Sequence, residues 1–202
     1  MSVRPAVLFA RSDSIYKTMD CDVWDAERDA LKWPGGQPVV AHPPCGPWSS
    51  LRMTCKMPAT VKALAVWAVA QVRQFGGVLE HPVLSTLFKE LSLPNNVEPD
   101  SFGGWTYIAP QKWWGHKAEK LTRFYIVGIK PSQLPDVPFD LKQASHVVTT
   151  NHRHWKLSGK KCPRPELNQV DREATPPDLA KWLLETARRC GAQMASESEL
   201  VG

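Results

Sequence analysis

Several features that define common protein classes are missing from this 202-residue sequence. No apolar run is long enough to span a bilayer, and no signal peptide pattern is present, so we expect no membrane association. The cysteines, at positions 21, 45, 55, 162 and 190, are odd in number and include no CxxC pair. This spacing argues against a disulfide framework and against a common zinc module. We therefore expect reduced thiols and a cytoplasmic protein, in a bacterial host cell if the chain is viral.

No metal centre is expected either, because the one cluster with suitable residue types is incomplete. His152, His154 and Cys162 lie close in sequence but lack a fourth ligand. We interpret that run as basic surface.

The composition is that of a globular protein with a basic excess. A hydrophobic fraction of 43% is ample for a core, and the length suits one domain with at most a small appendage. A net charge of +5 and a pI near 9.0 fit a polyanionic partner, although a merely basic protein fits equally well. Nine tryptophans are many for this length. Most should pack in the core, and some could stack on flat heterocycles such as bases or a pterin.

The pattern of apolar residues predicts an α/β fold. Helical spacing is clearest from Pro58 to Phe75, and Gly76-Gly77 ends that helix. Short apolar runs at Val39 to Ala41 and Val78 to Glu80 flank it, which makes a βαβ unit with parallel strands. Further predicted elements are strands at 6–10, 22–25, 105–109 and 124–129, and helices at 15–19 (N-cap Ser12 or Asp13), 84–91 and 178–190.

The run from Val39 to Ser50 is the most informative stretch. An apolar strand ends at Pro43-Pro44, and Cys45 follows between glycine and proline. A thiol on a stiff loop beyond the C-terminal end of a strand lies where open α/β sheets bind their ligands. A buried free cysteine is the alternative, but core cysteines seldom occur on such rigid loops. Glu80, at the end of the next parallel strand, is predicted to lie nearby.

Three stretches resemble motifs of the DNA cytosine-C5 methyltransferases, in that family's order. Pro44-Cys45-Gly46-Pro47-Trp48-Ser49 is similar to the Pro-Cys-x-Pro-aromatic-Ser loop that carries the nucleophile. Val78 to Pro82 resembles the Glu-Asn-Val strand end, and Arg123 to Gly128 resembles the strand that begins with the last motif arginine. The similarity covers about the first two thirds of the chain. It implies a small, divergent, virus-type member with a reduced Rossmann-like, methyltransferase-type sheet and a small basic C-terminal appendage.

The resemblance also implies roles for individual residues. Cys45 would add to C6 of cytosine, Glu80 would contact N3 and the exocyclic amine, and Arg123 would lie near O2. Glu80 could instead cap the following helix, and Arg123 could be a surface cation. The substrate pocket implied by the motifs consists of Pro44, Trp48, Ser49 and His81.

The chain departs from the family most where the one-carbon donor binds. A lesser departure is at His81 and Pro82, which stand where the family has Asn and Val, so the hydrogen bond that orients the acidic residue must change. At the donor site, the loop after the first strand contains no glycine. Side chains there would obstruct close backbone approach to S-adenosylmethionine. The leading hypothesis is therefore methylenetetrahydrofolate as donor and 5-hydroxymethylcytosine as product, with Arg11 and Lys17 free to bind it.

The alternative keeps S-adenosylmethionine in a pared-down site. The residues that would then contact the donor are Phe9, Asp13 and Asp25. Only 20 residues separate Asp25 from Cys45, too few for the helix and strand that usually complete the adenine pocket.

Double-stranded DNA is the expected partner of a monomeric protein, with base flipping to reach the cytosine. The expected organisation is a catalytic α/β domain at 1–130, a basic DNA-contacting appendage at 131–171 and a C-terminal helix at 172–202 that packs against the catalytic domain. A catalytically inactive DNA-binding relative and an enzyme acting on free nucleotides are the alternatives. The predicted DNA contacts are Lys112, Trp114, Lys120, Arg153, Lys160 and Lys161.

Overall fold

The computed structural model describes residues 3–50, 52–149 and 157–201, without the side chains of residues 54 and 195–201. Its six strands are β1 (Ala6–Ala10), β2 (Asp22–Asp25), β3 (Val39–Ala41), β4 (Gly77–Pro82), β5 (Trp105–Pro110) and β6 (Leu121–Val127). Its α-helices are α1 (Ala59–Phe75), α2 (Leu87–Glu90), α3 (Gln169–Glu173) and α4 (Pro177–Val201).

The six strands form one mixed sheet in the order β2-β1-β3-β4-β6-β5. Strands β2, β1, β3 and β4 are parallel, and β6 is antiparallel to both β4 and β5. The strand order reverses between β1 and β3, and the crevice beyond the carboxyl ends at such a point is where open α/β sheets bind ligands. The fold is thus α/β and compatible with a Rossmann-like fold.

The predicted βαβ unit is confirmed. β3 and β4 are parallel neighbours joined through α1, with Val39 opposite Gly77 and Ala41 opposite Leu79. Gly77 is required at the start of β4, because a Cβ atom there would overlap the backbone of Val39. The unit therefore brings the residues that follow β3 next to the end of β4.

Helices cover both faces of the sheet. Buried residues of α1 and α2 pack on one face, together with Leu8, Leu79 and Tyr125. The apolar side of α4 packs on the other face, against Val7, Val78 and Phe124. All eight described tryptophans are buried or partly buried, which fits core packing. No helix within the described ranges is long and apolar enough to cross a bilayer.

The chain between β6 and α4 is irregular but attached to the sheet edge. Backbone hydrogen bonds join His146 to Lys117 and Val147 to Pro165. The Arg164 guanidinium bonds the Glu119 carboxylate at 2.9 Å. The start of β6 is therefore held from outside by the segment that precedes α3.

One local prediction needs correction, and one strand has a feature that the sequence did not indicate. The short helix at 15–18 is a 3₁₀ turn capped by Ser14, not by Ser12 or Asp13. β1 contains a bulge at Phe9, whose φ is 61°, and the register against β2 shifts there. Such a bulge places two consecutive side chains on one face, so Phe9 joins Leu8 beside α1 and Ala10 points to the α4 side.

Candidate functional site

Cys45 lies on the loop that leaves β3, directly before the 3₁₀ turn Gly46–Trp48. The residue is exposed and its thiol is free. Surrounding protein atoms nevertheless desolvate the thiolate, and with the negative charge of Glu80 this raises the pKa of the Cys45 thiol, against the opposing effect of Lys120. The free protein thus holds a neutral thiol at neutral pH, so the proton has to leave before the sulfur can attack.

Glu80 faces the same edge from β4, and both of its carboxylate oxygens are hydrogen-bonded. Nδ1 of His42 lies 3.1 Å from Oε2, and Nε2 of Gln111 donates to Oε1 at 2.8 Å. His42 directly follows β3 and Gln111 directly follows β5. Three strands therefore contribute side chains to one carboxylate.

The hydrogen bonds continue in both directions from these partners. Nε2 of His42 lies 2.9 Å from the Tyr16 hydroxyl, and Nε2 of Gln111 also contacts Oγ1 of Thr122 at 3.1 Å. With Glu80 ionised, the distances fit a His42 that donates from Nδ1 and accepts the Tyr16 O–H at Nε2. We call the chain formed by Tyr16, His42, Glu80, Gln111 and Thr122 the Glu80 network.

The charge of Glu80 is strongly stabilised. Burial by itself would raise the pKa of this carboxyl, but the nearby Lys120 ammonium and the hydrogen bond from His42 outweigh burial and lower the pKa to about 2. Lys120 thus acts electrostatically on both Glu80 and Cys45. The sheet edge combines a thiol, a carboxylate and a cation.

Helix α3 lies over this edge and adds further charge. Arg11 Nη1 donates to the Val170 carbonyl at 3.3 Å and lies 3.7 Å from Glu173. Lys117 bonds Asp171 at 3.0 Å. The Glu173 carboxylate raises the pKa of Cys45, although less than Glu80 does. The loops after β1 and before β6 are thus tied together beside the thiol.

Arg123 is not brought together with Cys45 and Glu80. It pairs with His81 across β4 and β6, and Glu80 pairs with Phe124. Because successive side chains of a strand alternate between faces, Arg123 and His81 point to the α2 side and Glu80 to the α4 side. The Arg123 guanidinium lies over the Phe88 ring at 4.9 Å. Lys120 is the cation that acts on the carboxylate.

His81 is not on a pocket surface. Its side chain is fully buried, and among the described residues neither ring nitrogen has a hydrogen-bond partner. Burial lowers the pKa of His81 to about 4, so the ring is neutral at physiological pH. His81 is therefore a core residue of the face that packs against α2.

The other predicted pocket residues lie on the Cys45 loop itself. Trp48 is 2% exposed and donates from its indole nitrogen to the Lys62 carbonyl. The Ser49 hydroxyl donates to the Gly46 carbonyl at 3.1 Å, and Pro44 is half-buried next to the thiol. Trp48 and Ser49 therefore fix the shape of the loop, and Pro44 borders the thiol.

The predicted donor-site residues are engaged with other parts of the protein. Asp25 is buried, bonds Lys17 at 2.6 Å and accepts the backbone N–H groups of residues 27 and 28. Asp13 pairs with Arg11, and Phe9 packs edge-on against Trp67. The expectation that Arg11 and Lys17 are free is wrong, because both are ion-paired.

The predicted DNA contacts divide into three groups. Trp114 is 3% exposed within an aromatic cluster that includes Trp182, and Lys112 pairs with Asp140 at 2.6 Å. Lys160 and Lys161 are exposed, and Lys120 lies at the candidate site. Arg153 is outside the described residues. Trp114 is thus core in the free protein and unavailable to a base.

Sequence reasoning overlooked most of the Glu80 network. His42 and Tyr16 each follow a strand that ends at the site, and position after a parallel strand was the signal available for them. Gln111 and Thr122 carried no such signal, because their part in the site depends on how β5 and β6 pair with β4.

Comparison with known proteins identifies no relative of this chain. No family model matches it, and neither the curated proteins nor the solved structures contain a significant match.

Proposed function

We propose that this protein transfers a one-carbon unit to C5 of cytosine in DNA, with Cys45 as the nucleophile. The observation that carries the proposal is the meeting of Cys45, Glu80 and Lys120 at the carboxyl ends of two adjacent parallel strands. A thiol next to an organised carboxylate is what covalent activation of a pyrimidine ring requires.

The reaction begins when the Cys45 sulfur adds to C6 of the ring. This addition breaks the aromatic conjugation and makes C5 nucleophilic, so a new carbon–carbon bond forms at C5. Loss of the C5 proton and departure of the thiolate from C6 then restore the ring. Ionised Glu80 accepts a hydrogen bond from the exocyclic amine, and Lys120 stabilises negative charge that develops on the base or sulfur.

The Glu80 network supports a positioning role for His42 and Gln111. Both hold the carboxylate in one orientation, and a fixed acceptor costs less reorganisation during reaction than a mobile one. Tyr16 in turn holds the His42 ring. The Cys45 thiol has a raised pKa, so proton removal at the sulfur is a demanding step for this protein.

Methylenetetrahydrofolate is the donor that we propose. It supplies a carbon at the oxidation level of formaldehyde. After this carbon has bonded C5 and the C5 proton is lost, tetrahydrofolate would leave from it, water would add in its place, and the Cys45 thiolate would then depart from C6, which gives 5-hydroxymethylcytosine. The support is indirect: the loop after β1 has no glycine, and Asp25 is occupied by Lys17 and two backbone N–H groups. These residues do not fit S-adenosylmethionine as they stand.

S-adenosylmethionine remains the second candidate because of one observation. Asp25 ends β2, which lies beside β1 and one strand away from the point where the strand order reverses, and Rossmann-like sheets often place a ribose-binding acid at the end of that strand. Binding would require the Asp25 carboxylate to exchange Lys17 for a ribose hydroxyl.

Nucleoside mass spectrometry of duplex DNA tests the proposal and separates the donors. Purified protein is incubated with DNA and either methylenetetrahydrofolate or S-adenosylmethionine. We expect CH2O to be added to cytosine with the first donor. A gain of CH2 with the second donor would identify a methyltransferase and overturn the proposed donor.

Matched cysteine variants test the nucleophile. We expect Cys45→Ala to lose all product and Cys55→Ala, a substitution on the same loop region, to retain it. Product from Cys45→Ala at the wild-type rate would refute the covalent mechanism. If no donor modifies DNA but free cytidine nucleotides react, the DNA substrate is wrong and the chemistry stands.

A further inference from the structure

An open cavity of about 560 Å³ lies at the end of β4, on the face opposite the Glu80 network. Its floor is apolar and includes Val83, Phe88 and Leu93. Its polar wall contains Arg123, Lys89 and Asn95. None of the described residues that line it is acidic. The cavity thus presents two cations with no carboxylate on its walls.

Arg123 lines this cavity with its guanidinium stacked over Phe88. Its Nε is buried and has no hydrogen-bond acceptor in the part of the chain that the structure describes. No ion pair to Arg123 is formed within the described ranges, and desolvation lowers the pKa of this guanidinium. An arginine whose guanidinium is oriented by stacking on an aromatic ring, and which lacks a counter-ion, is suited to bind a planar or tetrahedral oxyanion through two parallel hydrogen bonds.

The cavity is joined to the loop that carries the nucleophile. The backbone N–H of Thr86, on the cavity wall, donates to the Trp48 carbonyl at 2.9 Å. The cavity wall and the Cys45 loop are thus in direct contact, so a nucleic-acid strand with its target base at Cys45 can reach this wall. Its flanking phosphates are the oxyanions that such a strand would offer.

We propose that Arg123 and Lys89 bind a backbone phosphate of the nucleic-acid strand whose cytosine is modified. This inference rests on the proposed function, since it takes DNA as the substrate. Cationic contacts to phosphates supply most of the sequence-independent affinity for DNA and fix its register on a protein. Arg123 accordingly positions the strand from one face of β6, and Lys120 acts on the reacting groups from the other.

The salt dependence of DNA binding tests this assignment. Affinity of a fluorescein-labelled duplex is measured by anisotropy over a range of NaCl concentrations. Each neutralised phosphate contributes about 0.9 to the slope of log Kd against log salt. Because both cations are assigned to one phosphate, we expect Arg123→Gln and Lys89→Gln each to reduce the slope in part, and the double variant to reduce it by about 0.9. Arg123→Lys should retain the slope but bind DNA more weakly, because lysine keeps the positive charge and lacks the two parallel N–H donors of the guanidinium.

Lys130→Gln is the matched control, because Lys130 follows β6 at the opposite edge of the sheet. Its slope should equal that of the wild type. Lys89 is exposed, so its substitution tests the cavity without endangering the fold, and thermal melting checks Arg123→Gln. Unchanged slopes in both cavity variants would overturn the proposal.

Two further outcomes separate this inference from the proposed function. If the wild type modifies DNA but the cavity variants bind with unchanged slopes, the phosphate site alone is wrong. If the slopes fall but no donor yields a modified cytosine, the phosphate site stands and the transferase proposal fails. Weakened binding of cytidine monophosphate, with unchanged DNA slopes, would assign the cavity to a free nucleotide and overturn the strand assignment.

Discussion

On one face of the β4–β6 pair, both oxygens of Glu80 have hydrogen-bond partners; on the other, His81 and Arg123 have buried nitrogens that no described residue contacts through a hydrogen bond. We refer to these as the Glu80 face and the Arg123 face. Residues 80 and 81 are adjacent in sequence, and the alternation of side chains along a strand separates them. The first face stabilises a charge in the free protein, whereas burial on the second disfavours the charged forms of His81 and Arg123.

The two faces also lower pKa values for opposite reasons. Glu80 has a pKa of about 2 although burial raises it, because Lys120 and His42 favour the charged carboxylate. His81 has a pKa of about 4 because burial disfavours the charged imidazole. The low pKa of Glu80 therefore results from its charged and hydrogen-bonded partners, and the low pKa of His81 results from desolvation.

The largest effect should come from removing the charge of the Glu80 face. Glu80→Gln is expected to reduce single-turnover transfer by about 10²- to 10³-fold, the usual cost of removing one preorganised group that stabilises the transition state. Arg123→Gln should leave the rate at saturating DNA within a few-fold and act on affinity. Equal losses of saturated rate in the two variants would erase the functional difference between the faces.

Acid stability should distinguish the faces next. The pKa of His81 is about 4 in the folded chain, against 6.5 in the unfolded one. The contribution of neutral His81 to the free energy of unfolding is therefore complete above pH 6.5 and is lost as the pH falls towards 4. This difference corresponds to about 3 kcal/mol. Urea unfolding across this range should show that loss in the wild type and a correspondingly smaller loss in His81→Leu.

Glu80 affects stability in a lower pH range than His81 does, so the two effects can be separated in that measurement. Its folded pKa of about 2 lies below the ordinary 4.5, so its stabilising contribution is complete above pH 4.5 and declines only below it. Both His81→Leu and the wild type keep Glu80, so their free energies of unfolding should fall in parallel below pH 4. A wild type as stable at pH 4 as at pH 7 would contradict the buried, neutral state of His81.

A smaller effect is expected from the amide that supports Glu80. Gln111→Leu removes a donor from Glu80 and from Thr122, and an unsatisfied buried polar group costs about 1–3 kcal/mol. Urea unfolding measures the change. Gln74→Leu, an exposed position on α1, is the control and should remain within about 0.5 kcal/mol of the wild type.

The smallest expected effect concerns the far end of the network. Tyr16→Phe deletes the hydroxyl that bonds His42 Nε2 and should cost about 0.5–1.5 kcal/mol. Nitrogen-15 NMR of the His42 ring should show Nε2 losing its hydrogen bond while Nδ1 keeps its contact with Glu80. A changed Nδ1 signal would mean that Tyr16 controls the carboxylate directly.

The elements closest to the site could be predicted from local patterns. The βαβ unit was readable because α1 has a clear helical period between two apolar runs, and local order of this kind needs no long-range information. This pattern alone predicts that Cys45 and Glu80 lie at neighbouring strand ends, and the pairing of β3 with β4 confirms that the two strands are neighbours. Helix α4 was likewise visible, although it extends beyond the predicted residue 190.

The predictions that failed depended on contacts between distant residues. Lys17 looks free in sequence, and only folding brings Asp25 to it. Arg11 pairs with Asp13 two residues away, and folding adds Glu173. Trp114 looks like a surface stacking residue within a polar run, and it is buried because α4 returns to pack against β6. Tertiary partners decide such cases because charge pairing and burial are properties of the assembled chain.

The sequence by itself determined the parallel strand pair, the rigid proline-bounded loop and the presence of a thiol and a carboxylate at one edge. Local periodicity and the restricted backbone of proline suffice for these. Only the tertiary structure decided which cation meets Glu80. The antiparallel register of β6 turns Thr122 towards the carboxylate and Arg123 away from it, and a shift of one residue would have exchanged their faces.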